Sequence, residues 1–222
     1  MKNNNIISIV ISALLIMIAG IVAGYVLSKT SNTTASSGLA TPPLPNNNMS
    51  DHHGGSAAAP SSDALNSLVG NLMPDIQLSN KDGKTITTAD FKGKNTVLFF
   101  NEGLMCYPAC WNQIAAFGND QRFNSDQIQA VSVVVDSAAD WQRAMSKMPQ
   151  LAQATTLHDA GAQASRQLGV LTTASSMHRG SLPGHTYILL DKEGIVRFVL
   201  DDPNMAIAND LIFDKIQEFN KK

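Results

Sequence analysis

Residues 95–101, Asn-Thr-Val-Leu-Phe-Phe-Asn, form a nearly continuous apolar run. Such a run marks a strand buried on both faces, so the surrounding chain must supply a covering layer on each side. Shortly after it stand Cys106 and Cys110, the only two cysteines in 222 residues, with Tyr107, Pro108 and Ala109 between them. Trp111, Ile114, Ala115 and Phe117 follow at the spacing of an apolar helical stripe. Two purely structural cysteines would be free to lie anywhere. A close pair around a proline, where a strand gives way to a helix, suits a reversible disulfide or a soft metal ion.

The remaining periodicity predicts alternating elements. Residues 74–78 read as a short extended piece, 81–84 as a turn and 86–91 as a return toward Gly93. Residues 128–135 form a second central strand ending at Asp136-Ser137, which can cap a helix over 138–148. A short strand at 155–157 precedes a helix over 160–168 that Gly169 is placed to stop. Residues 187–190 and 195–200 flank the turn Asp191-Lys192-Glu193-Gly194 as a hairpin, and 206–219 read as the last helix. Strands alternating with helices, then a hairpin and a terminal helix, make an α/β arrangement that fits a thioredoxin fold.

The N-terminal part has a different composition. Residues 6–27 carry no charge and would span roughly 33 Å as a helix, enough to cross a bilayer. That is longer than the apolar core of a cleaved signal peptide, about 7 to 15 residues. The expectation is an uncleaved single-pass signal anchor over residues 1–28, with the domain outside the cytoplasm. Residues 29–65, rich in Ser, Thr, Asn, Ala, Pro and Gly, read as a flexible polar linker. Its Asp51-His52-His53, beside Met49, could offer metal ligands, and a solvated linker is the simpler reading. Residues 66–222 suffice for one compact domain. A net charge of −2 and the lack of a Lys/Arg cluster argue against nucleic acid as a partner.

Several segments carry a family likeness. Met73-Pro74-Asp75-Ile76-Gln77-Leu78, Asp82-Gly83-Lys84 and Asp90-Phe91-Lys92-Gly93-Lys94 resemble the opening of redoxin domains. These form the alkyl hydroperoxide reductase and thiol-specific antioxidant family of the thioredoxin-like superfamily. Asn101 to Cys106 with Cys110-Trp111-Asn112-Gln113-Ile114 resembles a membrane-associated redoxin subgroup, and Pro183-Gly184-His185-Thr186-Tyr187 looks like the strand facing the active site. The resemblance implies an α/β thioredoxin-like fold, a central mixed sheet flanked by helices. It also implies a thiol-disulfide oxidoreductase that needs no cofactor and exchanges electrons with a protein thiol or disulfide substrate and a redox partner. Cys106, ahead of the helix, would be the nucleophile, favoured as thiolate by unpaired amides and the helix dipole. Cys110 would resolve the mixed disulfide. Glu102 is a candidate proton acceptor or relay. Redox members of the fold commonly carry a cis-proline just before this strand. Pro183 fits that location, counting back from Asp191 puts His185 at the proline position instead, and one or both should face the cysteines.

The departures from the family pattern are specific. Its peroxidases carry Thr or Ser three residues before the reactive cysteine and Pro seven before; here those positions hold Gly103 and Phe99. Peroxidase activity is therefore the less expected of the redox readings. The three residues between the cysteines, with a histidine before a hairpin strand, also resemble the copper-binding Sco assembly factors. In that reading Cys106, Cys110 and His185 hold Cu(I), with Met177, His178 and Met205 as further soft or nitrogen donors. An inactive redoxin serving as a membrane-bound binding module is the third class.

Overall fold

The computed structural model describes residues 63–221. One seven-stranded mixed sheet organises them. Its strands are β1 (Gln77–Ser79), β2 (Thr85–Thr87), β3 (Asn95–Phe100), β4 (Ile128–Val134), β5 (Thr155–His158), β6 (Thr186–Leu190) and β7 (Val196–Asp201). They lie in the order β2-β1-β5-β4-β3-β6-β7. β3 pairs with β4 in parallel and with β6 antiparallel, so it is an interior strand beside the middle one, β4.

All six residues of β3 are buried, as the apolar run requires. Side chains alternate across a strand, and the sheet shows it directly. Val97 and Phe99 point into one core cluster, Leu98 and Phe100 into another on the opposite face. Helices α2 (Ala109–Asn119), α3 (Ala138–Lys147) and α5 (Asn209–Asn220) cover the first face through Trp111, Ile114, Phe117, Trp141, Ile212 and Ile216. The short helices α1 (Asp63–Asn66) and α4 (Gln163–Gln167) close the second, with Leu65, Ala164 and Leu168 buried there. Each large apolar side chain so buried contributes about 1.5 to 3 kcal/mol relative to exposure.

Two helical boundaries differ from the sequence reading. Over 160–168 the chain forms a 3-10 turn at Ala160–Ala162 and only then α4, with Gly161 at φ 66° and Ala162 at φ 54°. The cause is Asp159. Its fully buried carboxylate accepts from Ala164 N at 3.0 Å, Ser165 N at 2.8 Å and Ser165 Oγ at 2.6 Å, capping the helix later than its apolar pattern suggests. The last helix begins at Asn209 rather than residue 206. Ahead of it, Asp202 takes Ala206 N at 3.2 Å and Gln113 takes Ala208 N at 2.7 Å, which occupies amides a longer helix would present. The expected anchor over 6–27 and the linker up to residue 62, with its Asp51-His52-His53, lie outside the described residues; the last three positions of the expected linker, 63–65, instead belong to α1, with Leu65 in the core. Among the described residues, no helix is long and apolar enough to cross a membrane.

Candidate active site around the cysteine pair

The chain leaves β3 through Asn101, whose side-chain amide donates to Phe99 O at 3.1 Å and whose Oδ1 accepts from Gly103 N at 2.9 Å. A 3-10 turn follows over Gly103–Met105. Gly103 has φ 56°, and a Cβ there would lie 1.8 Å from Asp136 Oδ2. That oxygen accepts from Leu104 N at 3.0 Å, and burial raises the Asp136 pKa above the usual carboxylate value. Trp111 Nε1 donates to Gly103 O at 3.0 Å, tying the first turn of α2 back to this turn. The loop ahead of the cysteines is therefore held on several sides.

Cys106 and Cys110 form a disulfide, S–S 2.05 Å, with Cα atoms 5.3 Å apart. Cys110 N donates to Cys106 O at 3.0 Å, so the pair spans the turn that opens α2. Both residues are buried against Trp111, Phe99 and Tyr187 in one core cluster. The cis peptide bond among the described residues is Tyr107–Pro108, inside the pair. The expectation of a cis-proline just before β6 is corrected accordingly: Pro183 does not follow a cis bond, and the cis-proline lies between the cysteines, not opposite them.

His185 does face the cysteines. The register of β3 on β6 sets Phe100 against Thr186, so the residue before Thr186 stands where the cysteine loop begins. His185 Nδ1 lies 3.6 Å from Cys110 Sγ, and Nε2 lies 2.8 Å from Tyr187 Oη. The ring meets Phe99 edge to face, with centroids 4.6 Å apart. Burial pushes the His185 pKa down to about 4, against the weaker opposing pull of Asp202 and Asp201. Burial likewise raises that of Tyr187, which stays a phenol.

A histidine buried neutral makes stability depend on pH in a definite direction. Its folded pKa of about 4 lies below the ordinary 6.5, so stability is complete above 6.5 and is lost as pH falls from there toward 4. Between pH 7.5 and 4.5 this single group should remove about 2.5 kcal/mol. Urea unfolding at the two pH values should show the wild type losing about that much more than His185→Gln. Equal losses in the two proteins would show that His185 is not held neutral by burial.

Pro183 is buried, and Gly184 after it is wedged against the loop of residues 173–182. A Cβ on Gly184 would lie 2.3 Å from Ser175 Oγ and from Thr173 Oγ1. Glu102, read from sequence as a candidate proton relay, turns toward that same loop. Its buried carboxylate accepts from Met177 N at 2.6 Å, His178 N at 2.9 Å and Ser176 Oγ at 3.4 Å, and pairs with His178 Nδ1 at 2.9 Å. Met177 is exposed, while Met205 packs against the core around the cysteines.

The ligand atoms of Cys106, Cys110 and His185 lie within 4.8 Å of one another. Once reduced, the pair would present two thiolates and an imidazole, a donor set that fits Cu(I). In the disulfide the sulfurs are bonded to each other instead. Beside the pair, Leu104, Tyr107, Trp111, Arg143 and Lys147 line a cleft of about 540 Å³, and Met105 and Tyr107 stand exposed next to Cys106. Two site residues were not found by sequence reasoning. Tyr187 shares a strand face with His185 at a spacing of two, a signal that was available. Asp136 stands just past the end of β4, where only the fold reveals that it reaches Gly103.

A mixed sheet with a cysteine pair at the mouth of a central strand defines a thioredoxin-like redox protein. Residues 69–199 match the AhpC/TSA family, and the chain belongs to it. Peroxiredoxin Q, chloroplastic, from Triticum aestivum is 30% identical over 139 residues, 60% of this chain and 58% of that protein. Peroxiredoxin Q, chloroplastic, from Populus jackii is 28% identical over 155 residues, 64% of this chain and 67% of that protein. The chain thus spans less than two thirds of the wheat relative's length. A peroxiredoxin-like protein from Aquifex aeolicus superposes with a TM-score of 0.56 at 18% identity, covering 68% of this chain and 86% of that one, and shares the fold. These relatives favour the peroxiredoxin-like alternative over the plain thiol-disulfide oxidoreductase expected from the sequence.

Proposed function

We propose that this protein is a two-cysteine thiol peroxidase of the peroxiredoxin kind. The carrying observation is a disulfide closed within one turn at the mouth of a central strand of an AhpC/TSA domain. The Cys106 thiolate attacks the O–O bond of a hydroperoxide, becoming a sulfenic acid and releasing the alcohol or water. The Cys110 thiol then attacks that sulfur, forming the disulfide and releasing water. A protein dithiol returns both sulfurs to the reduced state by exchange. The apolar run of residues 6–27 supports tethering this activity to a membrane, with the domain exported.

A specific observation favours a second reading, exchange with protein disulfides. Where the family's peroxidases carry a hydroxyl, Gly103 leaves none, and Asp136 closes the space. The amides of Leu104, Met105 and Cys106 are already bonded to Asp136, Glu102 and Gly103. Fewer donors then remain to polarise a peroxide. The test mixes the reduced protein with hydrogen peroxide, with cumene hydroperoxide, and separately with insulin. Peroxidase function predicts one peroxide consumed and two thiols lost per chain, on the order of 100-fold or more faster than free cysteine. Insulin reduction without accelerated peroxide consumption would leave only the exchange reading standing.

A further inference from the structure

Cys110, not Cys106, is the sulfur that touches a possible base. His185 Nδ1 approaches Cys110 Sγ at 3.6 Å, and its other nitrogen is engaged by Tyr187 Oη at 2.8 Å. The imidazole has little freedom to turn, since Phe99 packs against it in a T-shaped contact and Tyr187 Oη engages Nε2, while Asp202 N, donating to the His185 backbone oxygen at 2.9 Å, fixes the backbone that carries the ring. When the ring hydrogen sits on Nε2 and is donated to Tyr187 Oη, the lone pair of Nδ1 points at Cys110.

We propose that His185 is a catalytic residue for the second half-reaction, accepting the Cys110 proton as Cys110 attacks, and that Tyr187 is a positioning residue that fixes its ring. As the Cys110–Cys106 bond forms, the bond from Cys106 to its leaving group breaks. Nδ1 takes the proton from Cys110 Sγ and passes it on to that group within the same event, giving water from a sulfenic acid or a free thiol from a mixed disulfide, so the buried ring is neutral before and after the step. No outside oxidant or reductant enters the step. The inference rests on the two-cysteine redox reading, and it applies whether the first reactant is a peroxide or a disulfide.

The step can be observed without any peroxidase activity. Reduced protein mixed with 5,5′-dithiobis(2-nitrobenzoate), in the presence of a copper chelator, should release two chromophores in sequence. The first reports attack by Cys106 on the reagent, the second attack by Cys110 on the mixed disulfide. His185→Ala should slow the second phase by about 10- to 100-fold and leave the first unchanged. Tyr187→Phe, which keeps the ring but removes the hydroxyl, should slow the second phase alone by a smaller factor. Equal slowing of both phases, or an unchanged second phase, overturns the proposal. His185→Gln serves the same comparison if the alanine variant does not fold. Failure of the peroxide assay alone leaves this result intact, so the two ideas fail separately.

Discussion

Replacing Cys106 with serine will abolish hydroperoxide turnover, by at least about 10³-fold, while the domain stays folded. A serine hydroxyl cannot supply the polarisable anion that attacks an O–O bond, and no third cysteine exists to take its place. The structural cost should be small. The disulfide closes a loop between positions only four apart, so losing it relaxes the unfolded chain by about 2 kcal/mol. Hydroperoxide consumption and urea unfolding, measured on one preparation, check both halves. Cys110→Ser should behave differently: Cys106 still reacts once, then accumulates as sulfenic and sulfinic acid detectable by mass. If Cys106→Ser turned over and Cys110→Ser did not, the order of attack proposed above would be reversed.

Glu102→Ala should cost about 3 kcal/mol of stability. The carboxylate is nearly inaccessible and receives four hydrogen bonds from Ser176, Met177 and His178. Truncation leaves the Met177 and His178 amides without their acceptor, and the His178 ring loses its partner. Hydration should soften the loss, because the His178 side chain is 42% exposed. Glu102→Gln retains an acceptor for the amides and should cost only about 1 kcal/mol. Urea midpoints rank the three proteins, and limited proteolysis should cut the alanine variant within residues 173–182. A change below about 0.5 kcal/mol for Glu102→Ala would show that the loop is held by other means.

The sheet was legible where one local rule dominates. Residues 95–101 announce a doubly buried strand because Val97 to Phe100 are apolar at four consecutive positions, and β3 occupies 95–100. The cysteine turn and the hairpin of β6 and β7 were readable for the same reason. The boundaries of α4 and α5 were not, since Asp159, Asp202 and Gln113 bind backbone amides through contacts that periodicity does not encode. Within the site, His185 could be placed near the pair from its position before a strand. Glu102 could not, because the partners of its carboxylate lie more than seventy positions away. By analogy with the fold a cis-proline was expected just before β6, and the cis bond lies instead at Pro108, between the cysteines.

The position of the two cysteines also bears on how the chain matures. Their sulfurs can meet as soon as a loop four positions long closes, and contacts that local form on the order of 10 to 100 ns. His185 reaches them only when β3 pairs with β6 across a long stretch of chain, a slow, non-local event. With no third cysteine there is no wrong intramolecular partner. A nascent chain can therefore be oxidised before its sheet is built and still arrive at the native bond, without an isomerase to correct it.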